Sequence, residues 1–144
     1  MIKKGEMAVV EFEQTPAGFT VRTGHPLLGD IHADLQSVGP DHRQGTARAF
    51  LVSAVLNCLC GTMSAALLAR GVEYRRIYAT GEAVKEEKNG ISYVTGIDID
   101  MHVEVDDEDA EVLAHCLKIV KGCMISRSIM EGVDVRLNTH PAFC

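Results

Sequence analysis

Ala49-Phe50-Leu51-Val52-Ser53-Ala54-Val55-Leu56-Asn57-Cys58-Leu59-Cys60-Gly61-Thr62-Met63-Ser64-Ala65-Ala66-Leu67-Leu68-Ala69 is a run of residues without a single charge. Two readings compete for it. It is long enough to cross a bilayer as a helix. It also carries Ser53, Asn57, Gly61, Thr62 and Ser64, and strand-like segments flank it on both sides. The second reading prevails: a long helix from about Thr46 to Arg70, apolar nearly all round and so buried on most sides, with Gly71 as its terminator.

Working outward, the clearest strand signal lies downstream. Ile97, Ile99, Met101, Val103 and Val105 alternate with Asp98, Asp100, His102 and Glu104, the pattern of a half-buried antiparallel strand. The stretch from Val72 to Glu87 precedes it as a second strand. Asn89-Gly90, inside a charged tip, supplies the tight turn, since both residues tolerate positive φ. Asp106 to Asp109 opens a helix with acids at its positive end, and Lys118 and Lys121 stand at its negative end. Gly122 breaks that helix, Cys123 to Glu131 forms a short one ended by Gly132, and Val133, Val135 and Leu137 alternate as a last strand. Upstream, Ala8 to Glu13 and Phe19 to Arg22 read as a hairpin turned by Thr15-Pro16-Ala17-Gly18. The glycine- and proline-rich stretch from Thr23 to Thr46 holds one short strand near Ile31 to Leu35. The element order is that of an α+β protein, and 144 residues without a linker or repeat are read as one domain, 1–144.

Composition narrows the function classes. Twenty acids against 14 Lys and Arg give a net charge of −6, which disfavours a nucleic acid as partner. With no Trp and 5% aromatics, stacking on bases is disfavoured too. Glycine and proline contents exclude collagen-like or low-complexity material. Met1 to Glu6 lacks the apolar core of a secretion signal, so a cytoplasmic location is expected and the membrane is not a partner. Five cysteines (Cys58, Cys60, Cys116, Cys123, Cys144) in a reducing compartment leave redox chemistry, metal binding or plain burial.

No Cys-x-x-Cys occurs, and no histidine stands at ligand spacing from another ligand, so no metal is expected. No glycine-rich loop joins a strand to a helix, so no nucleotide cofactor is expected either. The acids from Asp106 to Glu111 read as a solvated helix start. Cys58 and Cys60 leave their helix on nearly opposite faces. Each reads equally well as inert packing. Cys123 follows a glycine and opens a helix, where free N–H groups favour a thiolate, and Ser126 and Arg127 one turn on add polarity and positive charge. Cys116 and Cys144 read as bystanders.

Two segments give the pattern a likeness. Phe50 to Cys58 matches, in register, the second half of a helix reading Asn-Pro-Glu-Glu-Leu-Leu-Leu-Ala-Ala-Leu-Gly-Ala-Cys. Cys123-Met124-Ile125-Ser126-Arg127 is similar to Cys-Pro-Val-Ser-Arg. Both motifs are those of the OsmC-like family, which includes osmotically inducible protein C and the organic hydroperoxide resistance proteins, and the chain resembles that family over nearly its whole length. The resemblance implies an antiparallel sheet wrapped around long central helices in an intertwined homodimer. It also implies a thiol peroxidase active in oxidative stress, with Cys58 as peroxidatic and Cys123 as resolving thiol. An organic hydroperoxide would be the substrate, and an external dithiol the reductant. Ala47 and Arg48 stand where the family has Pro and Glu, so the family's Glu–Arg pairing near the reactive sulfur cannot form in the same way. Arg48 then becomes a candidate to supply the positive charge Cys58 needs, with Arg22 and Arg43 as rivals. The alternative function is a non-catalytic dimer that holds a small apolar ligand.

Overall fold

A computed structural model describes residues 9–120 and 123–142. Met1 to Glu6, Ala8, Lys121, Gly122 and Cys144, each given a reading above, lie outside the described residues. The fold is α+β, with antiparallel sheets and one long helix. The chain divides into two compact units, Met1–Thr46 and Ala47–Cys144.

The first unit is a three-stranded antiparallel sheet of β1 (Glu11–Thr15), β2 (Gly18–Arg22) and β3 (Ile31–Asp34), in that order. Phe12 faces Val21 and Gln14 faces Phe19 across β1 and β2. The Phe12 and Phe19 rings stack with centroids 5.2 Å apart. Asp34 caps the 3-10 turn that follows, its carboxylate accepting the Gln36 N–H at 2.9 Å.

In the second unit α1 (Thr46–Leu68) lies on a hairpin of β4 (Arg76–Lys88) and β5 (Ile91–Glu104). Asn89 (φ 53°) and Gly90 (φ 76°) make the hairpin turn, since both its central residues need positive φ. β5 starts earlier than the alternation from Ile97 suggests, because residues 91–94 pair with Lys85 to Lys88 beyond a bulge at Val84/Lys85. β4 starts later than Val72. The chain first closes α1 through Gly71 (φ 72°), with the Val72 N–H donating to the Leu67 carbonyl, and buries Val72. Val52, Val55, Met63 and Leu67 are the buried residues of α1. The close approach of helix to sheet is set at Gly81: a Cβ there would stand 2.6 Å from Val52 Cγ1.

α2 (Ala110–Ile119) follows a 3-10 turn of acids and closes the core at its other end. Met63, Leu67, Val72, Cys116 and Val120 form that core, with Ile77, Met101, Val103 and Leu113 packed around it. Ser64 and Tyr74 share a 2.7 Å hydrogen bond at its edge. Arg75 ties the strand ends to the helix start, donating to Asp106 at 2.7 Å and to the Val105 carbonyl.

α3 (Met124–Glu131) ends at Gly132 (φ 87°). The strand expected beyond it does not form. Residues 133–137 join no sheet, and Val133, Val135 and Leu137 are 62%, 90% and 83% exposed. Alternation alone makes no strand: a ladder needs a partner edge, and the described residues bring none to that segment.

Candidate active site

Cys58 sits in the middle of α1 and Cys123 at the N-cap of α3, and the fold brings their side chains together. The two side chains share a hydrogen bond. Neither is in a disulfide. Both sulfurs stand at the N-terminus of α3, whose first N–H groups have no partner within the helix. Met124 and Ile125 turn their N–H groups toward Cys58, and Ile125 and Ser126 turn theirs toward Cys123.

The local geometry of Cys123 is that of a capping residue. Its backbone is extended (φ −73°, ψ 160°), and its sulfur accepts the Ser126 N–H at 3.3 Å. The Ser126 hydroxyl lies 3.0 Å from the same sulfur and 3.2 Å from the Cys123 carbonyl oxygen. With the thiol neutral, Cys123 donates to Ser126 Oγ while the hydroxyl donates to the carbonyl. With the thiol ionised, the hydroxyl can rotate and donate to the sulfur instead.

The two thiols respond oppositely. Burial, then the hydrogen bond to Cys123, pushes the Cys58 pKa up, against the opposing pull of the Ile125 and Met124 N–H groups. Burial also works against ionising Cys123. The hydrogen bonds from Cys58, from the Ser126 hydroxyl and from the N–H groups of Ser126 and Ile125 outweigh it and bring that pKa down. The hydrogen bond between the two sulfurs thus pushes the Cys58 pKa up and the Cys123 pKa down.

The other candidates lie elsewhere. Burial raises the pKa of Cys60, and Cys116 is sealed in the core. Arg48 is exposed in the first turn of α1, ten residues before Cys58, about 15 Å along the axis. Within one chain it is too distant to charge-stabilise that sulfur. In the first unit, Arg22 pairs with Glu13 at 3.6 Å and Arg43 donates to the Val38 carbonyl. Asp106, Glu108 and Asp109 bring their carboxylates within 4.8 Å of one another at the exposed start of α2, where the helix dipole accounts for them.

A cavity of about 680 Å³ opens between α1, β5 and α3. Leu51, Val55 and Leu59 form one wall, Ile97 and Ile99 the second, and Ile129 with Met130 the third; Ser126 is also on its lining. Ser126 thus touches both the Cys123 sulfur and the cavity. Sequence reasoning noted this serine only as added polarity, and it missed the cavity. The available signal was apolar spacing: Leu51, Val55 and Leu59 recur every four residues, on the face that carries the buried stripe.

Comparison with known proteins adds the following. The family model of the OsmC-like protein matches residues 40–138. Among solved structures, the crystal structure of a hypothetical protein from Aquifex aeolicus VF5 is similar in fold. It is 19% identical, with 90% of this chain and 91% of that one covered, at a TM-score of 0.63. No curated protein matches the sequence.

Proposed function

This chain belongs to the OsmC-like protein family, and on that premise we propose that it is a dithiol hydroperoxide reductase in which Cys58 and Cys123 are the redox pair. The observation that carries the reading is the contact of the two reduced sulfurs at the α3 N-terminus, beside an apolar cavity. Attack by one thiolate on a peroxide breaks the O–O bond, leaving a sulfenic acid on sulfur and an alkoxide that takes a proton from water. The second thiol then displaces the sulfenic oxygen as water and forms the disulfide. One hydroperoxide and two thiols thus become an alcohol, water and a disulfide, which an external dithiol resets. The walls of the cavity suit the alkyl group of an organic hydroperoxide.

The working unit is a homodimer in this proposal. α1 is uncharged from Ala49 to its end at Leu68, yet only four of its residues are buried. Among the described residues the β4–β5 sheet has two strands and two open edges, and residues 133–137 offer alternating apolar groups with no ladder. A second copy, wrapping its strands around paired central helices, would cover all three. Length and composition would also let α1 cross a bilayer; its seat on Gly81 and the polar groups along it favour the dimer core. Four free cysteines among the described residues suit the cytoplasm.

The test is consumption of tert-butyl hydroperoxide by the purified protein with a dithiol reductant, beside Cys58→Ser and Cys123→Ser. Turnover in the wild type and its loss in both variants is expected. The cavity also favours a second reading, a dimer that binds a small apolar ligand without chemistry. Saturable binding of an apolar fluorophore, unchanged in both variants and with no turnover in any, would select it.

A further inference from the structure

Resting on the reading of the cavity as the seat of an organic hydroperoxide, we infer that Met130 is an oxidation site: the bound hydroperoxide converts its thioether to the sulfoxide and so weakens the cavity's own hold on such molecules. α3 carries Ser126, Ile129 and Met130 three and four residues apart, hence on one face, and all three line the cavity. Met130 is 71% exposed, so a side chain that also lines the cavity stands at its mouth. The other side chains of the lining are those of leucine, valine, isoleucine, threonine and serine, which peroxides leave alone. Met130 is the lining residue with a nucleophilic sulfur.

Ser126 marks the part of the cavity nearest the thiol pair, through its 3.0 Å contact with the Cys123 sulfur. One helical turn, about 5–6 Å between Cβ atoms, separates Met130 from it. A hydroperoxide whose alkyl group rests on Val55, Leu59 and Ile97 therefore has sulfur on two sides, the thiols behind Ser126 and the thioether at the mouth. Met124 supplies a comparison within the same helix. It is 74% exposed, much as Met130 is, yet it is absent from the lining and stands about 240° round the axis from Met130. Solvent treats the two alike, and the cavity does not. The other described methionines, Met63 and Met101, lie in or against the core.

The step balances with no further reactant. The thioether sulfur takes the terminal oxygen of the hydroperoxide, the O–O bond breaks and an S–O bond forms. Sulfur loses two electrons and the peroxide gains them. The hydroperoxide proton passes to the departing alkoxide, which leaves as the alcohol. A polar sulfoxide then replaces a flexible apolar side chain in an otherwise apolar wall. Alkyl groups bind less well there, so an excess of hydroperoxide turns its own site down until a methionine sulfoxide reductase restores the thioether.

The experiment is quantitative peptide mass spectrometry of the wild-type protein exposed, without reductant, to an excess of cumene hydroperoxide or of hydrogen peroxide. With no reductant the thiols cannot cycle and deplete the oxidant. The ratio of Met130 to Met124 sulfoxide, read at times before the fully buried Met63 oxidises, is expected to be several-fold higher with cumene hydroperoxide than with hydrogen peroxide. The same ratio with both oxidants overturns the proposal. The consequence is read after the thiols are reduced again. KM for cumene hydroperoxide should rise in the exposed wild type, return on treatment with methionine sulfoxide reductase, and stay at its own starting value in exposed Met130→Leu. An equal rise in Met130→Leu overturns the weakening role. Steady-state turnover with a dithiol is a separate readout. Turnover with an unraised ratio keeps the reductase and removes this site, whereas a raised ratio with no turnover keeps this site and removes the reductase.

Discussion

Replacing Ser126 by alanine removes one hydroxyl from a buried sulfur and leaves the rest of the α3 cap in place. Cys123 is 3% exposed, so water cannot fully take the place of the lost donor. Hydrogen bonds to charged groups contribute about 1.5–3 kcal/mol. The N–H groups of Ser126 and Ile125 and the Cys58 thiol continue to donate in the variant, which puts the loss at the lower end. At about 1.4 kcal/mol per decade, the thiolate population at a fixed pH on the rising limb falls about tenfold. The sign follows from the chemistry. In the proposed cycle Cys123 reacts as its thiolate, so weaker support for that form moves the rising limb of turnover to higher pH. Above that limb the variant and wild type converge. The assay is the initial rate of tert-butyl hydroperoxide reduction from pH 5 to 10 at saturating reductant, with Ser126→Thr as the control that restores a hydroxyl. A uniform loss of rate with an unmoved limb would mean that Ser126 only packs, and an unchanged profile would refute the hydroxyl's action on the sulfur.

Further outcomes follow from packing and assembly. Gly81→Ala is expected to cost about 1–3 kcal/mol of stability through overpacking, read by urea unfolding at fixed protein concentration. Val52→Ala in the same chain should recover part of that, and strictly additive losses would show that the contact at Gly81 is not the cause. Ile99→Asn places a polar group in the cavity wall. It should raise KM for tert-butyl hydroperoxide several-fold while leaving hydrogen peroxide reduction nearly unchanged; equal effects on both would detach the cavity from the substrate. Sedimentation equilibrium at micromolar concentration should give twice the chain mass, and a folded species of 15.6 kDa would rule out the obligate dimer.

Much of the architecture was legible because it rests on local rules. The uncharged run at Ala49 marked α1, Asn89-Gly90 placed the hairpin turn, and Gly71 and Gly132 mark where α1 and α3 end. The misread segment, residues 133–137, failed because alternation reports a face and not the presence of a neighbour. At the site, spacing could not link Cys58 to Cys123. That pairing came from resemblance, and on residue pattern alone either cysteine read as plain packing. The helix opening at Cys123 pointed to a favoured thiolate there, but its hydrogen bonding with Cys58 forms only on folding. Ser126 was visible as a residue three places after a cysteine. Its second role, on the wall of a cavity, depends on where α3 meets α1 and β5.

The distance along the chain between the two sulfurs carries a consequence of its own. Cys58 and Cys123 are about 65 residues apart, so a disulfide between them would tie off a loop of nearly half the polypeptide. In the chain-entropy picture, closing a loop of this size removes about 4 kcal/mol of conformational freedom from the unfolded ensemble. The loop spans the second half of α1 through both long strands and α2, so its closure would staple the elements that surround the core. Oxidation and resistance to unfolding would thereby be linked. A molecule waiting for its reductant would be the more durable form, and one just reduced the more easily unfolded.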